Sequence, residues 1–237
     1  MKIQIQRESL VPYEIDLSDV TLLEALKKIK TTQDSSLSFS SSCRSSVCGS
    51  CSMRVNGREV LACGYKLQDG DVVEPLKNMP VLRDLVVDMD KALSFNAKAN
   101  AWMTPHAKTP ALSEENAKIN EVQSDCILCA SCYSACPVYA VNEEFLGPFA
   151  LTRVWKYVSD TREEDTKEKI DTIQTNGIWD CTLCNECTVV CPQNISSKMD
   201  IEMLRMRSSM QGYSDPNFAS FGDDFGGGFG FDGSPVF

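Results

Sequence analysis

Residues 181–192 read CTLCNECTVVCP, four cysteines in eleven positions closed by a proline. Residues 126–137, CILCASCYSACP, carry the same spacing. Cys126, Cys129, Cys132, Cys136 and Pro137 recur as Cys181, Cys184, Cys187, Cys191 and Pro192, each displaced by fifty-five residues. Self-similarity at a fixed offset marks a duplicated structural unit. The second half of the chain is therefore read as two cysteine loops, each followed by a helix.

Soft thiolates select zinc, copper(I) or iron-sulfur clusters, and spacing decides among them. Each half of the repeat is CxxCxxCxxxCP. In two-cluster bacterial ferredoxins such a run gives three ligands to one cubane and its fourth to the other. On that rule one [4Fe-4S] cluster takes Cys126, Cys129, Cys132 and Cys191, and a second takes Cys136, Cys181, Cys184 and Cys187. The remaining cysteines, Cys43, Cys48, Cys51 and Cys63, have the CxxxxCxxC…C form of a plant-type [2Fe-2S] site. Small residues in that loop, Ser45, Ser46, Gly49 and Ser50, let backbone N–H groups approach the sulfurs and tune the potential. All twelve cysteines are then used. Structural zinc prefers separated CxxC pairs, which these triplets are not. The single histidine, His106, leaves little room for Rieske, haem or mononuclear iron sites.

The bulk numbers agree with a redox protein that meets other proteins. A length of 237 residues suits two modest domains, and a formal charge of -10 argues against a nucleic-acid backbone as partner. The opening MKIQIQRESL has no apolar signal core, and no apolar run of about eighteen residues is present, so membrane contact is expected through partners. The absence of an acid/base constellation predicts no catalytic residue.

Ile3 and Ile5, then Tyr13, Ile15 and Leu17 after Pro12, alternate as strands. Thr21 and Glu24 form a capping box ahead of a helix carrying Leu22, Leu23, Leu26 and Ile29. Asn56-Gly57 predicts a hairpin turn between strands bearing Val55, Val60 and Leu61. These elements make an α+β domain over 1–97. Residues 98–112, with Pro105, His106 and Pro110, read as a linker. A helical domain follows over 113–212, in which Gly147-Pro148 opens a helix and REEDTKEK (162–169) is a solvated surface. Residues 213–237 are a flexible Gly/Phe/Asp-rich tail.

With CRSSVCGSCSMRVNGREVLAC, CILCASCYSACP with the following VNEEFLGPFALTR, and NGIWDCTLCNECTVVCP in this order, the chain resembles the iron-sulfur subunit of succinate dehydrogenase and fumarate reductase from Lys2 to about Met210. The resemblance implies a β-grasp ferredoxin domain followed by an all-α helical ferredoxin domain. It also implies an electron path from FAD in a flavoprotein subunit to a quinone at a membrane-associated subunit, with Arg44 a candidate at the flavoprotein interface.

Two departures refine that expectation. Most members lack a cysteine at the position of Cys184 and carry [3Fe-4S] there; here either Cys184 completes a second [4Fe-4S], or it points away from a [3Fe-4S] centre. The tryptophan and histidine that approach ubiquinone in many members are replaced by Ala140, Val141 and Thr182. Both departures point to the branch, exemplified by 8-methylmenaquinol:fumarate reductase, with a cysteine-rich membrane subunit and a menaquinone-type quinone. Membrane attachment is then on the cytoplasmic face by default, or the periplasmic face if the flavoprotein carries an export signal. Competing readings are a heterodisulfide-reductase-like or glycolate-oxidase-like subunit, and a zinc-stabilised interaction module.

Overall fold

The structure is a computed structural model and describes residues 1–105 and 111–217. Its first part is a mixed five-stranded sheet. Strands β1 (Lys2–Gln6), β2 (Leu10–Glu14), β3 (Ser52–Val55), β4 (Arg58–Leu61) and β5 (Val72–Glu74) lie in the order β2-β1-β5-β3-β4. The β1–β5 pair is parallel and the other neighbours are antiparallel. Pro12 pairs with Gln4 in β2, an edge strand, where a missing N–H does least harm. Asn56 and Gly57 both have positive φ, 49° and 82°, as a type I′ turn between β3 and β4 requires.

Helix α1 (Leu22–Thr32) covers this sheet. Thr21 caps it with both arms of the capping box, and Leu22, Leu23, Leu26 and Ile29 are buried against Ile3, Ile5 and Val73. Tyr13 and Ile15 join that core, whereas Leu17, expected on the same face, is 36% exposed because the strand ends at Glu14. A small hairpin, β6 (Val81–Arg83) and β7 (Val86–Val87), follows.

The second part is helical: α2 (Asp90–Lys98), α3 (Glu114–Lys118), α4 (Glu121–Ser124), α5 (Ser131–Ser134), α6 (Pro137–Val141), α7 (Pro148–Val158), α8 (Thr166–Thr172), α9 (Glu186–Val189) and α10 (Ser197–Met210). Its core reaches back into the first half of the sequence. Phe95 of α2 is fully buried and stacks on Tyr133, which in turn meets Phe149 at 4.4 Å and Tyr139 at 4.9 Å between ring centroids. Leu76, Met79, Ala92, Ala99 and Ala101 belong to the same core. The chain on either side of residue 97 therefore packs with the helical part, and the loosening of composition from Phe95 onward does not mark a gap in packing. His106 and Pro110 lie outside the described residues, as does the tail beyond residue 217.

The charged run 162–169 also differs from its expected role. Glu163 and Lys169 are buried and paired at 3.4 Å. The Lys169 ammonium donates to the Trp102 carbonyl at 2.6 Å, and Glu163 accepts the Thr104 N–H at 2.9 Å. The pair thus ties residues 102–104 to α8. After Pro192 no helix starts at once; α10 begins only at Ser197, past a turn in which Asn194 has a φ of 56°.

Candidate iron-sulfur centres

The loop 43–51 is held in an irregular path by positive φ at Arg44 (62°), Ser46 (59°) and Gly49 (72°). That path turns N–H groups toward sulfur. Ser45 N–H donates to Cys43 Sγ at 3.4 Å, Cys43 N–H to Cys48 Sγ at 3.4 Å, and Ser46 N–H to Cys63 Sγ at 3.2 Å; the Ser50 hydroxyl and Cys48 Sγ lie 2.8 Å apart. The Ser45 N–H is the chief reason the Cys43 thiol is pulled down to about 6. Cys51, buried beneath the loop, is pushed up to about 11 by desolvation; its sulfur stands 3.4 Å from Cys63. Cys63 has its own desolvation outweighed by the Ser46 hydroxyl and neighbouring donors, so its thiol is lowered. Donors that stabilise thiolate are what a [2Fe-2S] ligand set needs.

Gly49, with its positive φ in that loop, is also the point where the loop rests on the first cysteine run, for a Cβ there would lie 2.7 Å from Cys129 Cβ and 3.1 Å from the Ile127 carbonyl. Gln193 closes the same seam by donating to the Ser46 carbonyl at 3.2 Å. Farther along, Asn78 Nδ2 donates to the carbonyls of Tyr133, Ser134 and Cys136 at 3.0, 3.0 and 3.2 Å, and the Ser134 hydroxyl donates to Glu59 at 2.7 Å. Contacts across 55 to 147 positions leave no local pattern in sequence.

The two runs share a backbone signature. Leu128 and Ala130 flank Cys129 with φ of 52° and 61°, and Leu183 and Asn185 flank Cys184 with φ of 55° and 73°. Left-handed conformation at Leu and Ala costs about 1 kcal/mol or more each, and such strain persists where surroundings impose it, typically at functional sites. Ala130 and Asn185 then begin the matching short helices α5 and α9, which pack together. Cys136 accepts the Tyr139 N–H at 3.4 Å and caps α6, with Pro137 at its first position.

Thiol neighbours fall into sets. Cys126, Cys129, Cys132 and Cys191 line one cavity, closed on its apolar side by Ile127, Leu128, Phe149 and Ile195. Burial raises the thiols of Cys126, Cys132 and Cys191, and charge on Cys129 raises all three further. Burial likewise pushes Cys187 up to about 12, with charge on Cys181, Cys136 and Cys184 acting in the same direction. Cys136 is raised by burial and then by Cys181 and Cys184. Buried thiols that resist ionisation become stable thiolates once positive metal sits between them, which suits iron-sulfur ligation. Among the described residues no three Cys, His, Asp or Glu side chains converge as around a single ion.

Exposure separates the matched positions. Cys129 is buried under Gly49, whereas its counterpart Cys184 is exposed. Ala140, Val141 and Thr182 are all exposed beside Cys136 and Cys181, Val141 at 86%. Arg44, in the loop 43–51, is exposed as well. Among the described residues no helix is long and apolar enough to cross a membrane.

Residues 2–94 match the family described as the 2Fe-2S iron-sulfur cluster binding domain, and residues 122–195 the 4Fe-4S dicluster domain. The 8-methylmenaquinol:fumarate reductase iron-sulfur subunit of Wolinella succinogenes is 36% identical over 214 residues, which span 83% of this chain and 66% of that protein. The fumarate reductase iron-sulfur subunit of Mycobacterium tuberculosis is 36% identical over 83% of this chain and 85% of its own length, and that of Escherichia coli 38% over 84% of each. A chain of the Mycobacterium smegmatis Sdh1 complex in the apo form has the same fold, with a TM-score of 0.79 and 24% identity over 91% of this chain and 98% of that one. The thiol sets, both domain matches and these relatives together make the chain a member of the fumarate reductase and succinate dehydrogenase iron-sulfur subunits, the electron-transfer component of a quinone oxidoreductase that carries [2Fe-2S], [4Fe-4S] and a third cluster.

Proposed function

We propose that the chain conducts electrons between FAD in a flavoprotein subunit and a menaquinone-type quinone at a membrane-associated subunit. Its first part acts as a β-grasp ferredoxin domain and its second as a helical ferredoxin domain. Cys43, Cys48, Cys51 and Cys63 hold [2Fe-2S]; Cys126, Cys129, Cys132 and Cys191 hold [4Fe-4S]; Cys136, Cys181, Cys184 and Cys187 hold a second [4Fe-4S]. When bound, the clusters supply one-electron redox chemistry, and the chain's own residues orient the thiolates and limit water around them.

The observation that carries this reading is the pair of matching left-handed turns around Cys129 and Cys184. A cysteine that packed merely as a small apolar group would gain nothing from two strained neighbours, and an exposed Cys184 has no core to fill. Exposed Val141 beside the same set supports a partner surface there, and exposed Arg44 beside the [2Fe-2S] loop supports the flavoprotein at the opposite end. Attachment to the membrane is peripheral, through partner subunits.

The test is iron analysis with EPR on the anaerobically purified complex, beside Cys184→Ser. About ten irons per copy of this chain are expected, one two-iron and two four-iron centres. The oxidised complex should lack a [3Fe-4S] signal and the variant should show one. A stoichiometric [3Fe-4S] signal already present in the unsubstituted complex would make Cys184 a bystander.

A further inference from the structure

Arg205, on α10, spreads its guanidinium over the backbone that leads into the second cysteine run. Nε donates to the Ile178 carbonyl at 2.9 Å, and Nη2 donates to the carbonyls of Trp179 at 3.3 Å and Cys181 at 2.6 Å. The guanidinium also lies over the Trp179 ring, 5.5 Å from its centroid. Trp179 is fixed in turn by donating to Gln174 at 2.8 Å, and Gln174 donates to Ser208 on the same helix at 3.0 Å. Three carbonyls on one planar cation require a rigid fork, which a lysine does not have.

In the first repeat the carbonyls of Tyr133, Ser134 and Cys136 are gathered by the neutral amide of Asn78 and not by a cation. Arg153 of α7 stands near Cys126, but its Nη2 reaches Tyr157 at 3.5 Å and its Nε is buried without a partner. That run is also braced from outside by Gly49. In the second run Cys184 is exposed, and Gln193, just past the last cysteine, ties the run to the Ser46 carbonyl.

We propose that Arg205 is the positioning residue of the second cubane: it locks Cys181 in place, and its fixed positive charge makes the cluster easier to reduce. The proposal rests on the ligand set Cys136, Cys181, Cys184 and Cys187. A cation beside a cluster favours the state with one more electron, and a half-buried charge is screened less than a surface one. The nearby acid, Glu202, opposes this, but it is paired with Lys198 at 2.7 Å.

The experiment is an EPR-monitored redox titration of the intact complex with Arg205→Gln and Arg205→Lys. Arg205→Gln should lower the reduction equilibrium of the second cubane about tenfold, a shift of about 59 mV for a one-electron couple, and leave the other two centres in place. Arg205→Lys should keep most of the potential but broaden the signal or reduce occupancy, because the clamp is gone. An unshifted midpoint in Arg205→Gln, or an equal shift in both variants, overturns the electrostatic role. If Arg205→Gln assembles without this cluster, Arg205→Lys decides: reduced occupancy supports the clamp, and full occupancy with an unchanged spectrum overturns it. A missing third centre in the unsubstituted complex would instead refute the ligand assignment.

Discussion

Replacing Gly49 by alanine tests whether the first loop truly rests on Cys129. The added methyl faces two costs. With φ at 72° an L-residue gives up about 1–2 kcal/mol. The new Cβ would also meet Cys129 Cβ at 2.7 Å, against about 3.5–4.0 Å for an unstrained carbon pair, so the loop must retreat by about 1 Å. Overpacking of this kind costs about 1–3 kcal/mol. Gly70 provides the control, because its φ is 84° and nothing lies within 4 Å of the position its Cβ would take. Gly70→Ala therefore carries the backbone cost alone. Thermal bleaching of the cluster absorbance in the complex should place Gly49→Ala about 2–12 °C below Gly70→Ala, taking about 2–4 °C per kcal/mol for a chain of this size. Reduction of the cubanes through the [2Fe-2S] centre should slow as the gap opens. Equal melting and equal rates in the two variants would refute the contact.

Two further outcomes follow from buried charge. Lys169→Met leaves Glu163 without its cation in a buried site and should destabilise the complex by about 3–5 kcal/mol, while Lys167→Met, which breaks only the exposed pair with Asp171, should leave the unfolding midpoint close to that of the unsubstituted complex; comparable unfolding midpoints for the two variants would contradict the burial. Asp200 is buried, accepts from Gln123 at 2.8 Å and Thr152 at 2.9 Å, and is raised to about 6, chiefly by desolvation. A carboxyl raised on folding binds its proton more tightly in the folded state, so its stabilising effect is complete below about pH 4 and is lost as pH rises through 6. The unfolding free energy from urea melts should fall across that window by up to about 3 kcal/mol, and Asp200→Asn should remove the slope; a slope that survives in the variant would assign it to other groups.

Much of the site is legible in sequence because its rules are local. Cysteine spacing dictates which thiols share a loop, the Thr21–Glu24 box starts α1, and Asn56-Gly57 turns the hairpin. The remainder depends on what lies across from a residue. The run 162–169 has the composition of a solvated surface, and nothing within it says that residues 102–104 will cover Glu163 and Lys169. Phe95 has polar neighbours, so its place at the centre of an aromatic cluster comes from Tyr133 and Tyr139. Cys129 and Cys184 sit in near-identical local contexts, and their different exposure follows from Gly49, which is eighty positions from one of them. Arg205 likewise carries no motif; an arginine in the helix after a cysteine run is too common a pattern to single it out.

On the proposed ligand assignment, the exposure of the twelve cysteines has the form of an insulated conductor stripped in its first and third sets. Cys43 and Cys48 are open in the one and Cys184 in the other, while none of Cys126, Cys129, Cys132 and Cys191 is exposed. Thiolate ligands open to solvent are the first to meet dioxygen or peroxide. Left without its partners, the subunit should therefore corrode first at the two sets with exposed thiols, and the cluster held by Cys126, Cys129, Cys132 and Cys191 should be the last to bleach in air.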